Sequence, residues 1–278
     1  MSTISWKKLW AYPLVFGVLG ALLGLVLRYA YTGAISGFPF KNVLHSHSHV
    51  MLLGFIFNGL LITIWSYFKF QIDKVTYRLF LILQVCVAVF LVAFILQGYA
   101  FYSILFSTIH LWISYILLIR LWRKLDKNNQ QRNLIKLGIV FHFLSSLGPY
   151  MLGPLMAMEM QSSPWYQQAI FFYLHFQYFG VFFVWMLAVL LQKIEISLTK
   201  GQIILLAVSL IFLFAHSLDF SFSHWFIQFF GGLGSLGLFL LLLSFMKRFN
   251  IINHKYKFIY LAILIVAFFN ILGSVPIL

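Results

Sequence analysis

"LHSHSHVMLLGFIFNGLLITIWSYF", residues 44–68, decides the fold. His45, His47 and His49 alternate with Ser46 and Ser48, and the chain then stays almost uniformly apolar to Phe68. A helix needs roughly 20 apolar residues to cross the hydrocarbon core of a bilayer. The run from 48 to 68 has that length, so its reading is a membrane-spanning helix with three imidazoles at one mouth. On such a helix His45 and His49 share a face and His47 points elsewhere, while Ser46 or Ser48 is placed to cap the first turn.

The same pattern fills the chain. Of 278 residues, 63% are hydrophobic and 9% charged, a balance that a water-soluble domain cannot bury. Nine apolar runs reach spanning length: 9–31, 48–68, 78–99, 102–122, 134–157, 167–192, 201–218, 223–246 and 258–278. The expectation is an all-α, polytopic transmembrane bundle of about nine helices, forming a single integral membrane domain over 1–278. No internal repeat is evident in the residues. The last run ends at "GSVPIL", which reads as the N-terminal part of a longer bundle that continues into further spans.

The formal charge of +14 does not point to nucleic acid, because the basic residues lie in short loops between apolar runs. With a cytoplasmic N-terminus, 17 lysines and arginines fall on the inner side, and only Arg28 and Lys41 on the outer. The lone Cys86 sits within an apolar run and offers neither a disulfide framework nor a zinc cluster.

Eight of the nine histidines then fall in the outer half of the membrane or near its midplane: His45, His47, His49, His110, His142, His175, His216 and His224. His254 alone is cytoplasmic. Ionisable side chains at membrane depth are costly and face a protein interior or a water-filled cavity. Imidazole is the commonest ligand of transition metals and a frequent axial ligand of haem iron. The outer carboxylates number only two, Glu159 and Asp219, so the donor set suits haem or copper better than calcium, magnesium or a di-iron carboxylate site. In the fifth run the Gly-Pro steps 148–149 and 153–154 predict a kink beside His142.

Three segments resemble the haem-copper oxidase subunit I superfamily. "HSHSHVMLLGF" is similar to its second helix, where a histidine ligates the low-spin haem. "FYLHFQYFG", 172–180, resembles a segment of the nitric oxide reductase branch that carries a ligand of the non-haem metal. "FAHSLDF", 214–220, is similar to the superfamily's paired-histidine segment, with Ser217 in place of the second histidine. Gln177, Tyr178 and Phe179 replace the glutamate-containing stretch of the reductase branch. The resemblance implies a b-type haem held by His49, with His45 beside it. His110, His142 or a residue beyond the chain would be the opposite ligand, and Arg28 would pair with a propionate. It further implies copper or non-haem iron on His175 and His216, a quinol or cytochrome c donor, partner subunits, and a bacterial inner (plasma) membrane. The activity implied is electron transfer or the reduction of a small gas.

Two other readings stay open. "AHSLDFSFSH" supplies His216, Asp219 and His224, a donor set for a membrane zinc hydrolase of the ceramidase type. A sensor or assembly factor would bind haem or copper on the same histidines without turnover.

Overall fold

The computed structural model describes residues 6–33, 35, 37–218, 220–222, 224–245, 261 and 265. Asp219, His254 and almost all of the ninth predicted helix lie outside the described residues. Among those described the structure is helical throughout, without a strand. Among the described residues eight helices are long and apolar enough to cross a membrane: α1 Trp6–Ala30, α2 Phe40–Tyr67, α3 Lys74–Gln97, α4 Phe101–Lys124, α5 Arg132–Ala157, α6 Pro164–Lys193, α7 Lys200–Ser217 and α8 Trp225–Leu243. This is a multi-pass membrane protein by the length and composition of its helices. The chain divides into two compact units, Met1–Asn129 with α1 to α4 and Gln130–Leu278 with α5 to α8.

Two predicted details change. α2 begins at Phe40, behind Pro39, so the three histidines lie inside the helix rather than at its mouth. Ser46 therefore caps nothing; it is buried, and its hydroxyl donates to the Leu91 carbonyl of α3 at 2.8 Å. α5 does break, at Ser146, between an Arg132–Ser145 segment and a Leu147–Ala157 segment. The cause is local. Pro149 has no N–H to give the Ser145 carbonyl, and the Ser146 hydroxyl bonds the Phe143 carbonyl at 2.6 Å.

α2 and α6 share an uncommon feature. Each passes from α-helix into a run of i→i+5 hydrogen bonds and back again. The π-helical runs are Val50–Phe57 in α2 and Phe176–Phe183 in α6. Each begins directly after a histidine, His49 or His175, and each is followed by ten α-helical residues, Asn58–Tyr67 or Val184–Lys193. Val50 and Phe176 stand 126 positions apart, and the same offset relates the ends of the two helices. Phe70 N donates to the Trp65 carbonyl and Ile196 N to the Leu191 carbonyl, six-to-one bonds that wrap the last turn. Lys69 and Glu195 supply the left-handed residue, with φ of 51° and 56°. The next helices start in the same way. Asp73 caps α3 by accepting from Thr76 N, and Thr199 caps α7 by accepting from Gln202 N.

The packing recurs as well. In the first unit Gly54 of α2 faces Phe16 of α1, and in the second Gly180 of α6 faces Phe141 of α5. One contact differs. Gly59 of α2 lies against Trp10 of α1, whereas at the matching position of α6 Trp185 lies against Gly138 of α5, three positions beyond the residue that matches Trp10. Among the described residues the two units are thus built on one plan.

Candidate functional site

The first unit holds His45, His47, His49, His110 and Arg28. The π-helical run leaves His49 at its entry, and such runs are frequent at functional sites. His49 Nδ1–H donates to the His45 carbonyl at 2.9 Å. That bond fixes the tautomer and leaves a lone pair on Nε2, which faces the Tyr99 hydroxyl at 3.3 Å. The His49 ring packs on Phe94, with centroids 4.3 Å apart, and also meets Phe90. His45 lies one turn back on the same face as expected, edge-on to Tyr99 at 4.6 Å. His47 points to the opposite side, where Nδ1 donates to the Gly20 carbonyl of α1 at 2.8 Å.

His110 of α4 is buried and packs on Phe90 and Phe57. His49 and His110 therefore share the Phe90 ring, which is fully buried. A flat macrocycle held between these two imidazoles would take the place that Phe90 fills. Arg28 is exposed in the last turn of α1.

The second unit holds His142, His175, His216 and His224. His175 is buried at the α6 π-helix entry. Its Nε2–H donates to the Leu210 carbonyl of α7 at 2.9 Å, and its Nδ1 accepts from the Ser217 hydroxyl at 3.3 Å. His216 is the residue before Ser217. Its Nδ1–H donates to Gln228 Oε1 at 3.2 Å, and Ser235 Oγ lies 3.3 Å from its Nε2. α7 thus brings His175 and His216 to one locality, joined through Ser217. His142 belongs to another cluster, in which the Gln177 amide donates to His142 Nδ1 at 3.0 Å and to Ser145 Oγ at 2.9 Å. His224 is exposed at the N-cap of α8.

Each entry histidine has the polarity of a metal ligand: one nitrogen anchored by donation to a carbonyl, the other presenting a lone pair to a hydroxyl that can give way. His49, taken singly, has the hydrogen-bond pattern of a metal-ligating imidazole. His175 and His216 lie in one locality, and among the described residues no group of three or more His, Cys, Asp or Glu side chains is positioned to hold a metal.

The residues that complete these sites, Tyr99, Gln177, Ser217, Gln228 and Ser235, are not marked by the histidine pattern. Gln177 and Gln228 carry a signal as amides inside apolar runs, and Ser217 as the residue after His216 in the paired-histidine segment. No family model, curated protein or solved structure matches the chain.

Proposed function

We propose that this chain is a haem-binding integral membrane protein resembling subunit I of the haem-copper oxidases and nitric oxide reductases. It serves electron transfer or the reduction of a small gas in a bacterial plasma membrane, with its N-terminus cytoplasmic. One observation carries the reading: the His49 lone pair on Nε2, set by the Nδ1–His45 carbonyl bond, in an aromatic site lined by Phe90, Phe94 and Tyr99. An aromatic surround with one oriented imidazole suits a ligand of haem iron.

His49 would hold a b-type haem, and His175 with His216 would hold copper or non-haem iron. Bound there, the metals supply one-electron chemistry and a binding position for the gas. The chain's own residues orient the imidazoles. The His45 carbonyl, Leu210 carbonyl and Gln228 amide each fix one tautomer. A quinol or cytochrome c would be the donor, through partner subunits or directly.

The test is the absorption spectrum and metal content of the purified protein. A Soret band that is lost in His49→Ala and kept in His224→Ala is the expected result. Stoichiometric zinc without haem overturns the reading in favour of a hydrolase. Haem that is redox-active, with no consumption of oxygen or nitric oxide, replaces the enzymatic part with a sensing or assembly role.

A further inference from the structure

The recurrence at 126 positions lets one unit be read against the other. Phe16 on Gly54 and Phe141 on Gly180 set the register of the first helix of each unit against the π-helical run. In that register Gly20 corresponds to Ser145, and Met51 to Gln177. The first unit fills this place with apolar atoms: the Met51 thioether lies where a Cβ at Gly20 would stand. The second unit fills it with His142, Ser145 and Gln177, all buried.

The hydrogen bonds of that cluster can be counted. Both N–H bonds of the Gln177 amide are used, one on His142 Nδ1 and one on Ser145 Oγ. The Ser145 hydroxyl donates to the His142 carbonyl at 2.8 Å. Gln177 Oε1 is left. It is fully buried and has no hydrogen-bond partner among the described residues. Rotating the amide does not remove the deficit; it turns an unmet acceptor into an unmet donor. A buried amide end without a partner is costly at membrane depth, and a molecule that both donates and accepts meets the need in either orientation.

We propose that Gln177, Ser145 and His142 form a buried water-binding site in the second unit. The water donates to Gln177 Oε1 and to the second lone pair of Ser145 Oγ, which gives it the two polar partners a buried water requires. The site sets an exchangeable proton beside the His142 imidazole, with the Gln177 amide two residues past His175. The first unit, with Met51 and Gly20 in the same place, is dry there. The site stands whether or not the chain binds haem.

The test is infrared difference spectroscopy of the full chain in lipid nanodiscs, hydrated with D₂O of ordinary and heavy oxygen. An O–D band that shifts with the oxygen isotope marks an isolated water. It is expected in the parent, absent in Gln177→Met, which writes the first unit's residue into the second, and unchanged in Met51→Leu. Parent and Gln177→Met spectra that superimpose overturn the proposal. Should Gln177→Met fail to fold, Ser145→Ala leaves the amide in place and is expected to shift the band; an unshifted band overturns the proposal equally.

Discussion

Lys69 and Glu195, 126 positions apart, hold the same left-handed backbone, at φ 51° and 56°, at the ends of α2 and α6. Both are exposed and neither is glycine. The left-handed conformation costs a residue with a Cβ about 1 kcal/mol, and glycine is the usual occupant of this position. Lys69→Gly and Glu195→Gly are each expected to stabilise the protein by up to about 1 kcal/mol. Because the sites are far apart in sequence and in different units, the double variant should show the sum. Equilibrium unfolding in mixed micelles measures both; a loss in either single variant contradicts the shared helix ending.

Gly138 tests the contact with Trp185. A Cβ there would overlap the Trp185 indole, which is fully buried and donates to the Ile135 carbonyl at 3.1 Å. Gly138→Ala is expected to cost about 1–3 kcal/mol through overpacking. Gly180→Ala should behave alike, since its Cβ would stand 2.6 Å from the Phe141 ring. Gly153→Ala is the control, because nothing lies within 4 Å of the added carbon. Thermal inactivation midpoints rank the three.

Asn58 and Gln84 form a buried amide pair between α2 and α3. Asn58 Nδ2 donates to Gln84 Oε1 at 2.9 Å, and Gln84 Nε2 donates to the Phe80 carbonyl at 3.1 Å. Gln84→Leu leaves the Asn58 amide unmet and should cost about 1–3 kcal/mol. Asn58→Leu combined with Gln84→Leu should recover much of that loss. A double-mutant cycle gives the coupling; additive losses would mean that the two amides do not act as a pair.

Asp73 carries the pH dependence outside the membrane spans. Hydrogen bonds from Lys124 and from Thr76 N hold its carboxyl well below the usual carboxylate range, and Arg120 pairs with it at 2.6 Å. A carboxylate with a depressed folded-state pKa adds stability that is fully present above its unfolded value of 3.8 and is lost as pH falls below that. The side chain is 37% exposed, so screening limits the contribution to about 0.5 kcal/mol. Asp73→Asn keeps a capping oxygen and should flatten the acid limb of stability below about pH 4. An unchanged acid limb would place the dependence on other groups.

Eight of the nine expected spans were legible in the sequence, because length and apolarity decide what crosses a bilayer; the ninth lies outside the described residues. The start of α2 was not, because the turn Phe40–Leu44 carries Lys41 and Asn42 and lacks the apolar signature of the span behind it. The histidines were legible as a group, and some of their partners were not. Carbonyls such as Leu210 have no sequence signal, and Tyr99 gains meaning only when the end of α3 meets His49 of α2. The shared plan of the two units was hidden for a related reason. Between 49 and 80, only His49, Gly54, Phe57, Leu61, Lys74 and Leu79 are identical to the residue 126 positions on. Phe, Leu, Ile, Val and Met replace one another freely where the solvent is as apolar as they are.

Gly59 of α2 and Trp185 of α6 occupy matching places, and the neighbouring helix answers each: Trp10 fills the space beside Gly59, and Gly138 makes room for Trp185. Side-chain size at such a crossing is a property of the helix pair, so a large-for-small exchange on one helix is tolerated only with the opposite exchange on its neighbour. Comparison of single positions misses that compensation.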